Sequence, residues 1–503
     1  MRNTDEPTFK SNLCTFKNVY KVDIKEKLNI KVTASRFKKH LVIATVIGVI
    51  WRLVWINVWA SHAIQTPDYS FGYSLTANSI SQGHFNALTS SGGQGILPPL
   101  FSIFLGLDDF IGINTPMGQA NTLCIIFSLG IILSGLAAKQ VSGYRAGMIT
   151  CWLVALSPTS WLYSSHLIAE NLIVILIPGV IYFTYKWWYN PKLTVGLALG
   201  IVIALAAMSR TEDVALIPFL VFPVVMSIRK FTLKLRLFDF GVILVAFLLV
   251  LSPILYGNIV TYKYFDPLSA ATGTFLLDSN CPTTYYTKDI GAVDTFCFTS
   301  YPYLSSNSFQ NSQSTWDNSQ TDYAFRHVVF HYIWANRDQV PNVIIIRALR
   351  TWHLINPMNQ NSWDIQEITT QWPLWIQSIA FIFEYFLYAL LGVGLIALYK
   401  RRIPILPILI FPLLTTTTIV LAGYLARYRI SLESSLLISA GIGIDALLSK
   451  EISFLSPFRK IVEAFKNPKD TKLVSQVYTW LFWAVILIAL TTYGNVLVHS
   501  LPN

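Results

Sequence analysis

Long apolar runs broken by short, polar and mostly basic segments set the rhythm of this chain. Residues 41–60 read LVIATVIGVIWRLVWINVWA, which is too long for a strand and apolar on every face of a helix. A membrane-spanning helix needs roughly 20 mostly apolar residues, and about eleven stretches meet that demand. They lie near 41–60, 118–138, 146–163, 167–186, 192–208, 213–228, 239–260, 376–398, 403–423, 430–448 and 476–498. The pattern predicts an all-α polytopic membrane protein with about eleven transmembrane helices and an extracytoplasmic subdomain that is α-rich or mixed.

Composition agrees and removes the soluble classes. Hydrophobic residues make up 53% of the 503, charged residues only 13%, and the mean hydropathy is +0.50. The formal charge of +11 then becomes a statement about orientation. Cytoplasmic loops close to membrane helices collect Lys and Arg. The first 40 residues carry Arg2, Lys10, Lys17, Lys21, Lys25, Lys27, Lys31, Arg36, Lys38 and Lys39 against four acids, which sets the amino terminus inside. Counting crossings from there puts Lys139 with Arg145, Lys186 with Lys192, 229–236, 400–402 and 450–472 on the same side. The positive charge is accounted for by topology, and no nucleic-acid partner is expected. The first apolar run has no cleavage pattern and reads as a signal anchor in a plasma-membrane, multi-pass protein.

Four regions follow: a basic cytoplasmic tail 1–40, a transmembrane core 41–260 with a first external loop 61–114, an external subdomain 261–375, and carboxy-terminal transmembrane helices 376–503. The long external segment is rich in Ser, Asn, Thr, Tyr and Trp and acidic on balance, and its length argues for a fold of its own. Cys281 and Cys297 are the two cysteines expected on the outer side, with Cys14 cytoplasmic and Cys124 and Cys151 within spans, so they are expected to pair, worth about 3 kcal/mol by chain entropy. Two buried thiols are the alternative. No His or further Cys stands at ligand spacing from either, so no metal is assigned.

The same count of crossings places three charged clusters on the outer side: Asp68; Arg210 with Glu212 and Asp213; and Arg427 with Arg429. Ionisable groups beside hydrocarbon are costly, so their convergence suggests a site for a charged, membrane-held substrate. Asp68 can take a proton from an acceptor hydroxyl, or it can simply cap a helix after Pro67. The three arginines can hold a phosphate with forked donors, or snorkel and pair with Glu212, Asp213 or Glu433. His166 and Glu170 stand at the outer start of the fourth expected span, as orienting groups or caps. His353, with Trp352, Asn356, Asn359, Gln360, Asn361 and Trp363, suits sugar binding and equally an interfacial aromatic belt.

Order and spacing of short motifs give a resemblance. Pro67-Asp68 with Tyr73 and Gly83, Pro98-Pro99-Leu100, Ser157-Pro158, Glu170, Ser209-Arg210-Thr211-Glu212 and Ala426-Arg427-Tyr428-Arg429 follow one another as in the GT-C superfamily of membrane glycosyltransferases. That superfamily includes protein mannosyltransferases and aminoarabinose transferases, the glycosyltransferase family 39-like proteins. The run 280–286 with Cys297, and Arg347 to Trp352, look like an actinobacterial branch. The resemblance implies transfer of a sugar from a polyprenyl-phosphate donor to an acceptor hydroxyl of a glycan, lipid or protein, on the outer face and with inversion. Asp68 matches the acidic base, with Arg210, Arg427 and Arg429 on the lipid phosphate and Tyr73, His166, Glu170, Glu212 and His353 in support. Many relatives carry two adjacent acids where Asp68 is followed by Tyr69, which leaves a divalent ion open. The rival class is a polar-lipid transporter or flippase of the cell envelope, against which the lack of duplicated halves speaks.

Overall fold

The computed structural model describes residues 33–61, 64–88, 97–228, 232–304, 306, 309, 313, 316–355, 374–452 and 471–502. Residues 1–32 of the basic tail and the amide-rich run 356–363 lie outside them. The principal helices are α1 (Ala34–Val54), α2 (Pro116–Ser142), α3 (Tyr144–Leu156), α4 (Glu170–Tyr189), α5 (Leu193–Ser209), α6 (Leu233–Thr261) and α7 (Thr272–Ser279). They continue with α8 (Asn318–Ala335), α9 (Val340–Thr351), α10 (Leu374–Lys400), α11 (Leu406–Ala422), α12 (Ile430–Leu448) and α13 (Thr471–Ser500). Among the described residues there is no strand, only one isolated bridge between Ala292 and Tyr424. This is an all-α membrane protein.

Among the described residues seven helices are long and apolar enough to cross a bilayer, where the sequence suggests about eleven spans. The other four expected segments are helical but differ in kind. Helices α3, α5 and α11 have 13, 17 and 17 residues, which gives them about 20 to 26 Å of length against a hydrocarbon core of about 30 Å. The segment expected at 146–163 is divided, because Pro158 has no N–H and Ser157 before it is held extended; Ser157 then caps a new short helix, Pro158–Tyr163. The one expected at 213–228 splits into a 3-10 turn Thr211–Ala215, a π turn Ile217–Val221 and a short helix Phe222–Ser227, with Pro218 and Pro223 interrupting the ladder.

Helix α12 is the axis of the bundle. In the most apolar stretch of its span, Ala426–Leu448, 89% of the residues are buried, against 11% in that of Ser475–Ser500 at the periphery. It packs on α2, α3, α4, α10 and α11. Small residues permit the close approach: a Cβ on Gly441 would strike Thr150 of α3, and one on Gly394 would strike Ser439. Arg52, buried in α1, donates to the carbonyls of Val154 and Ala155 at 3.2 and 3.1 Å, satisfying acceptors that the end of α3 leaves open.

The described residues between 262 and 355 build a helical cap with its own core, Leu277, Tyr301, Leu304, Phe309, Phe325 and Val329 around the Cys281–Cys297 disulfide. Asp317 and Gln320 form a capping box that starts α8. The cap is fastened to the connection between α11 and α12. Arg347, buried in α9, donates to Val420 O and Asn280 Oδ1, each at 3.3 Å, and to Ser279 O. Gly423, at φ +148°, lies so close to Ser279 that any side chain there would collide. Tyr424 N then donates to Gly291 O at 3.1 Å. This pinned connection carries Arg427 and Arg429.

Candidate active site

The 3-10 turn Ala426–Arg429 sends consecutive side chains in different directions, so neighbouring arginines meet different partners. Arg427 Nη1 donates to Asp68 Oδ2 at 2.6 Å, and its Nε lies 3.7 Å from Glu170 Oε1. The Asp68 side chain is 35% exposed and that of Arg427 18%, so this pair reaches solvent while Glu170 is buried.

Asp68 is free for this because it does not cap its own helical turn. Thr66 does, accepting from Tyr69 N at 3.2 Å, while the Asp68 side chain makes no cap bond to the π turn Tyr69–Tyr73. Tyr73 ends that turn, buried edge-on to Phe101 at 5.0 Å. Burial, and then the charges of Glu170 and Asp68, push its phenol well above the usual range. Glu170 opens α4, where the helix dipole favours a carboxylate.

Arg210 follows α5 and reaches the same turn from another side. Its Nη1 donates to Tyr428 O at 2.8 Å and Ser431 Oγ at 2.6 Å, and its Nε to Glu212 Oε1 at 2.6 Å. The Tyr428 ring carries both cations, with the guanidinium carbons of Arg210 and Arg427 at 5.0 and 5.6 Å from its centroid. Asp68, Tyr73, Glu170, Arg210, Glu212 and Arg427 therefore form one neighbourhood around Tyr428.

Arg429 belongs to a second, sealed network. Its Nε donates to Thr351 O at 2.6 Å, one terminal nitrogen lies 2.8 Å from His353 Nδ1, and the other donates to Glu384 Oε2 at 2.7 Å and to Tyr388 OH. Glu384 also lies 3.1 Å from His353 Nδ1 and accepts from Thr159 at 3.2 Å. His353 is held at φ +52°, stacked on Phe381 at 4.2 Å, with Tyr385 donating to its carbonyl. Nearby, Glu433 accepts from Ser157 and, at 3.2 Å, from Ser160.

His166 is buried elsewhere, 3.1 Å from Ser165 Oγ and against Tyr163. Cys281, Cys297 and Asp294 lie close enough to suggest metal ligands, but the disulfide removes both thiolates. Between Asp68 and Glu170 the positive charge is the Arg427 guanidinium, which a divalent ion would have to displace. The sequence reading overlooked Glu384, although a single carboxylate inside α10 was the available signal. It also overlooked Tyr428 and Ser431 as partners of Arg210, which no local pattern marks.

No protein-family model and no curated protein sequence matches the chain. Solved structures it is similar to include those of the Archaeoglobus fulgidus oligosaccharyltransferase. The form tethered by a disulfide bond to an acceptor peptide containing the NVT sequon has a TM-score of 0.51 and 14% identity, covering 94% of this chain and 56% of that one. The apo form has a TM-score of 0.49 and 15% identity, covering 94% and 57%. The complex of that enzyme, AglB, with an inhibitory peptide and a dolichol-phosphate has 0.49 and 15%, covering 92% and 55%. The chain thus spans little more than half the length of these neighbours, and at such identity the likeness is one of fold alone.

Proposed function

We propose that the chain is a membrane glycosyltransferase that moves a sugar from a polyprenyl-phosphate donor to an acceptor hydroxyl at the outer face of the membrane, with inversion. The observation that carries this reading is the half-open Asp68–Arg427 pair, a carboxylate and a guanidinium in contact at the end of the bundle, backed by Glu170 and by Arg210 across Tyr428. The oligosaccharyltransferase fold supports glycosyl transfer in kind. The polyprenyl-phosphate donor is supported by the place of the cations at a membrane edge and by the order of motifs, and the outer face by the distribution of Lys and Arg.

The pair also suggests how binding readies the base. Arg427 presents a fork that a phosphate can occupy, and on turning to it releases the Asp68 carboxylate. Asp68 then takes the proton of the acceptor hydroxyl. The oxygen forms its bond to the anomeric carbon as the bond from that carbon to phosphate oxygen breaks, and the electron pair leaves with the lipid phosphate. Arg210 is bound to Glu212, Ser431 and Tyr428 O, so it acts as a positioning residue that fixes the turn. Arg429, committed to its buried partners, holds the other end of the turn.

The test is transfer from a radiolabelled polyprenyl-phosphate sugar by membranes carrying Asp68→Asn. Turnover should fall by about two to four orders of magnitude. Unchanged turnover in correctly inserted protein removes Asp68 from its role.

A further inference from the structure

The helical cap holds a concavity that shares no lining residue with the arginine turn. It is an open groove of about 650 Å³ along one face of α8, lined by Gln320, Tyr323, His327 and His331 of that helix and by Tyr264 and Trp316 from flanking segments. Positions 320, 323, 327 and 331 recur at three and four residues, so they share one face; Phe325 and Val329 on another face enter the cap core. Tyr301 and Tyr303 close the far side. The rings of Tyr264 and Tyr323 are parallel to within 2° at 4.3 Å, although both are more than two-fifths exposed. Exposed aromatic surface of this size is costly to leave in water.

Its chemistry is selective. None of the described lining residues is Asp, Glu, Lys or Arg. Arg326, in the middle of the α8 stretch, turns instead to Asp266 and Asp322. With no Lys, Arg, Asp or Glu among its described residues, the lining offers a phosphate no fixed guanidinium or ammonium and a charged peptide no carboxylate. Flat rings with an amide, two imidazoles and phenols at hydrogen-bond reach suit a pyranose or furanose ring, which presents C–H to a stacking face and hydroxyls to the rim. Interfacial aromatic belts place single rings against lipid, whereas these rings come from three chain segments and converge on one hollow. The volume falls within the roughly 300 to 1,000 Å³ of sites that enclose ligands larger than a single small solute.

We infer that this groove is a binding site for a neutral oligosaccharide, and, resting on the transfer reading above, that the acceptor is a glycan whose distal residues it holds. The cap connects the two places: α7 packs against α8, and Phe275 of α7 meets the Tyr428 ring edge-on at 5.1 Å.

Full-length protein in phosphatidylcholine nanodiscs would be screened on an array of neutral hexose and pentose oligosaccharides. Binders would then be titrated by tryptophan fluorescence. A saccharide should bind with a fluorescence change that Trp316→Phe removes. Tyr323→Ala or Tyr264→Ala should weaken it about tenfold, Tyr323→Trp should retain it, and Trp334→Ala, exposed but outside the groove, should leave it unchanged. Asp68→Asn should bind normally, so failed binding and failed transfer are told apart. The proposal is overturned if no neutral saccharide binds, if Tyr323→Ala in folded protein binds like the parent, or if the Trp316 signal answers to anionic lipid vesicles and not to sugar.

Discussion

Arg427 and Arg429 are two residues apart on one turn and carry the same group, yet they sit in opposite physical situations. Arg429 is surrounded by His353, Glu384, Tyr388 and Thr351 with its donors used, whereas Arg427 shares a partly exposed contact with Asp68. A sealed ion pair is a structural fastener, since desolvation has already been met by partners and no ligand can reach it. An accessible pair can exchange partners at little cost. Sequence cannot separate them, because a 3-10 turn points adjacent residues apart and tertiary contacts decide which one meets water.

The sharpest way to break this contrast is to delete each cation. Arg429→Ala leaves Glu384 buried without its guanidinium and should cost about 3 to 5 kcal/mol of stability, read as a lowered unfolding transition in nanodiscs. Combining it with Glu384→Gln should restore much of that loss, as expected for two partners of one network. If Arg429→Ala unfolds like the parent but loses turnover, Arg429 belongs with the reactive group and the division fails.

Arg427→Ala should behave in the opposite way. Removing this partly exposed ion pair should cost less stability than breaking the buried one, while loss of charge stabilisation on the departing phosphate should lower turnover by about 100- to 1,000-fold. Paired measurements of turnover and unfolding on both variants decide the matter, because a single cooperative charge cluster would give both the same profile.

How much of this was legible beforehand follows from which signals are local. The membrane class and the helical fold were plain from runs of apolar residues, and the motif order pointed to Asp68, Glu170, Arg210 and Arg427, which the structure brings together around Tyr428. Breaks at Pro158, Pro218 and Pro223 were visible in the sequence, but they lie within apolar stretches that hydropathy treats as continuous. The separation of Arg429 and His353 from the others depends on Glu384, 45 residues from Arg429 and 31 from His353 along the chain, and no periodicity reports such contacts. His166 looked like a neighbour of Glu170 by number, but the bend before α4 buries it against Ser165 and Tyr163.

A smaller effect tests whether the open side depends on the cap. Phe275→Ala removes the edge-on contact with Tyr428, worth about 1 kcal/mol. Turnover should drop roughly threefold to tenfold if that ring keeps the turn in register, with little change in global unfolding. An unaltered rate would show that the cap and the arginine turn act independently.

The smallest expected effect is a pH dependence in the same helix. Asp278, near the end of α7, has its carboxyl pushed up to about 7 by burial and, secondarily, by the charge of Asp294. Asp294 is itself fixed by Thr283 at 2.6 Å and by Phe296 N at 2.9 Å. Since the folded pKa lies above that of an unfolded aspartate, the folded cap binds the extra proton, and its stability declines as pH rises from about 4 through about 7. Limited proteolysis of the cap should therefore quicken between pH 6 and pH 8, and Asp278→Asn should flatten that trend. Should turnover follow the same curve in the parent and lose it in Asp278→Asn, the seating of α7 on Tyr428 contributes to the reactive side; should proteolysis be indifferent to pH, the buried carboxyl is not what couples them.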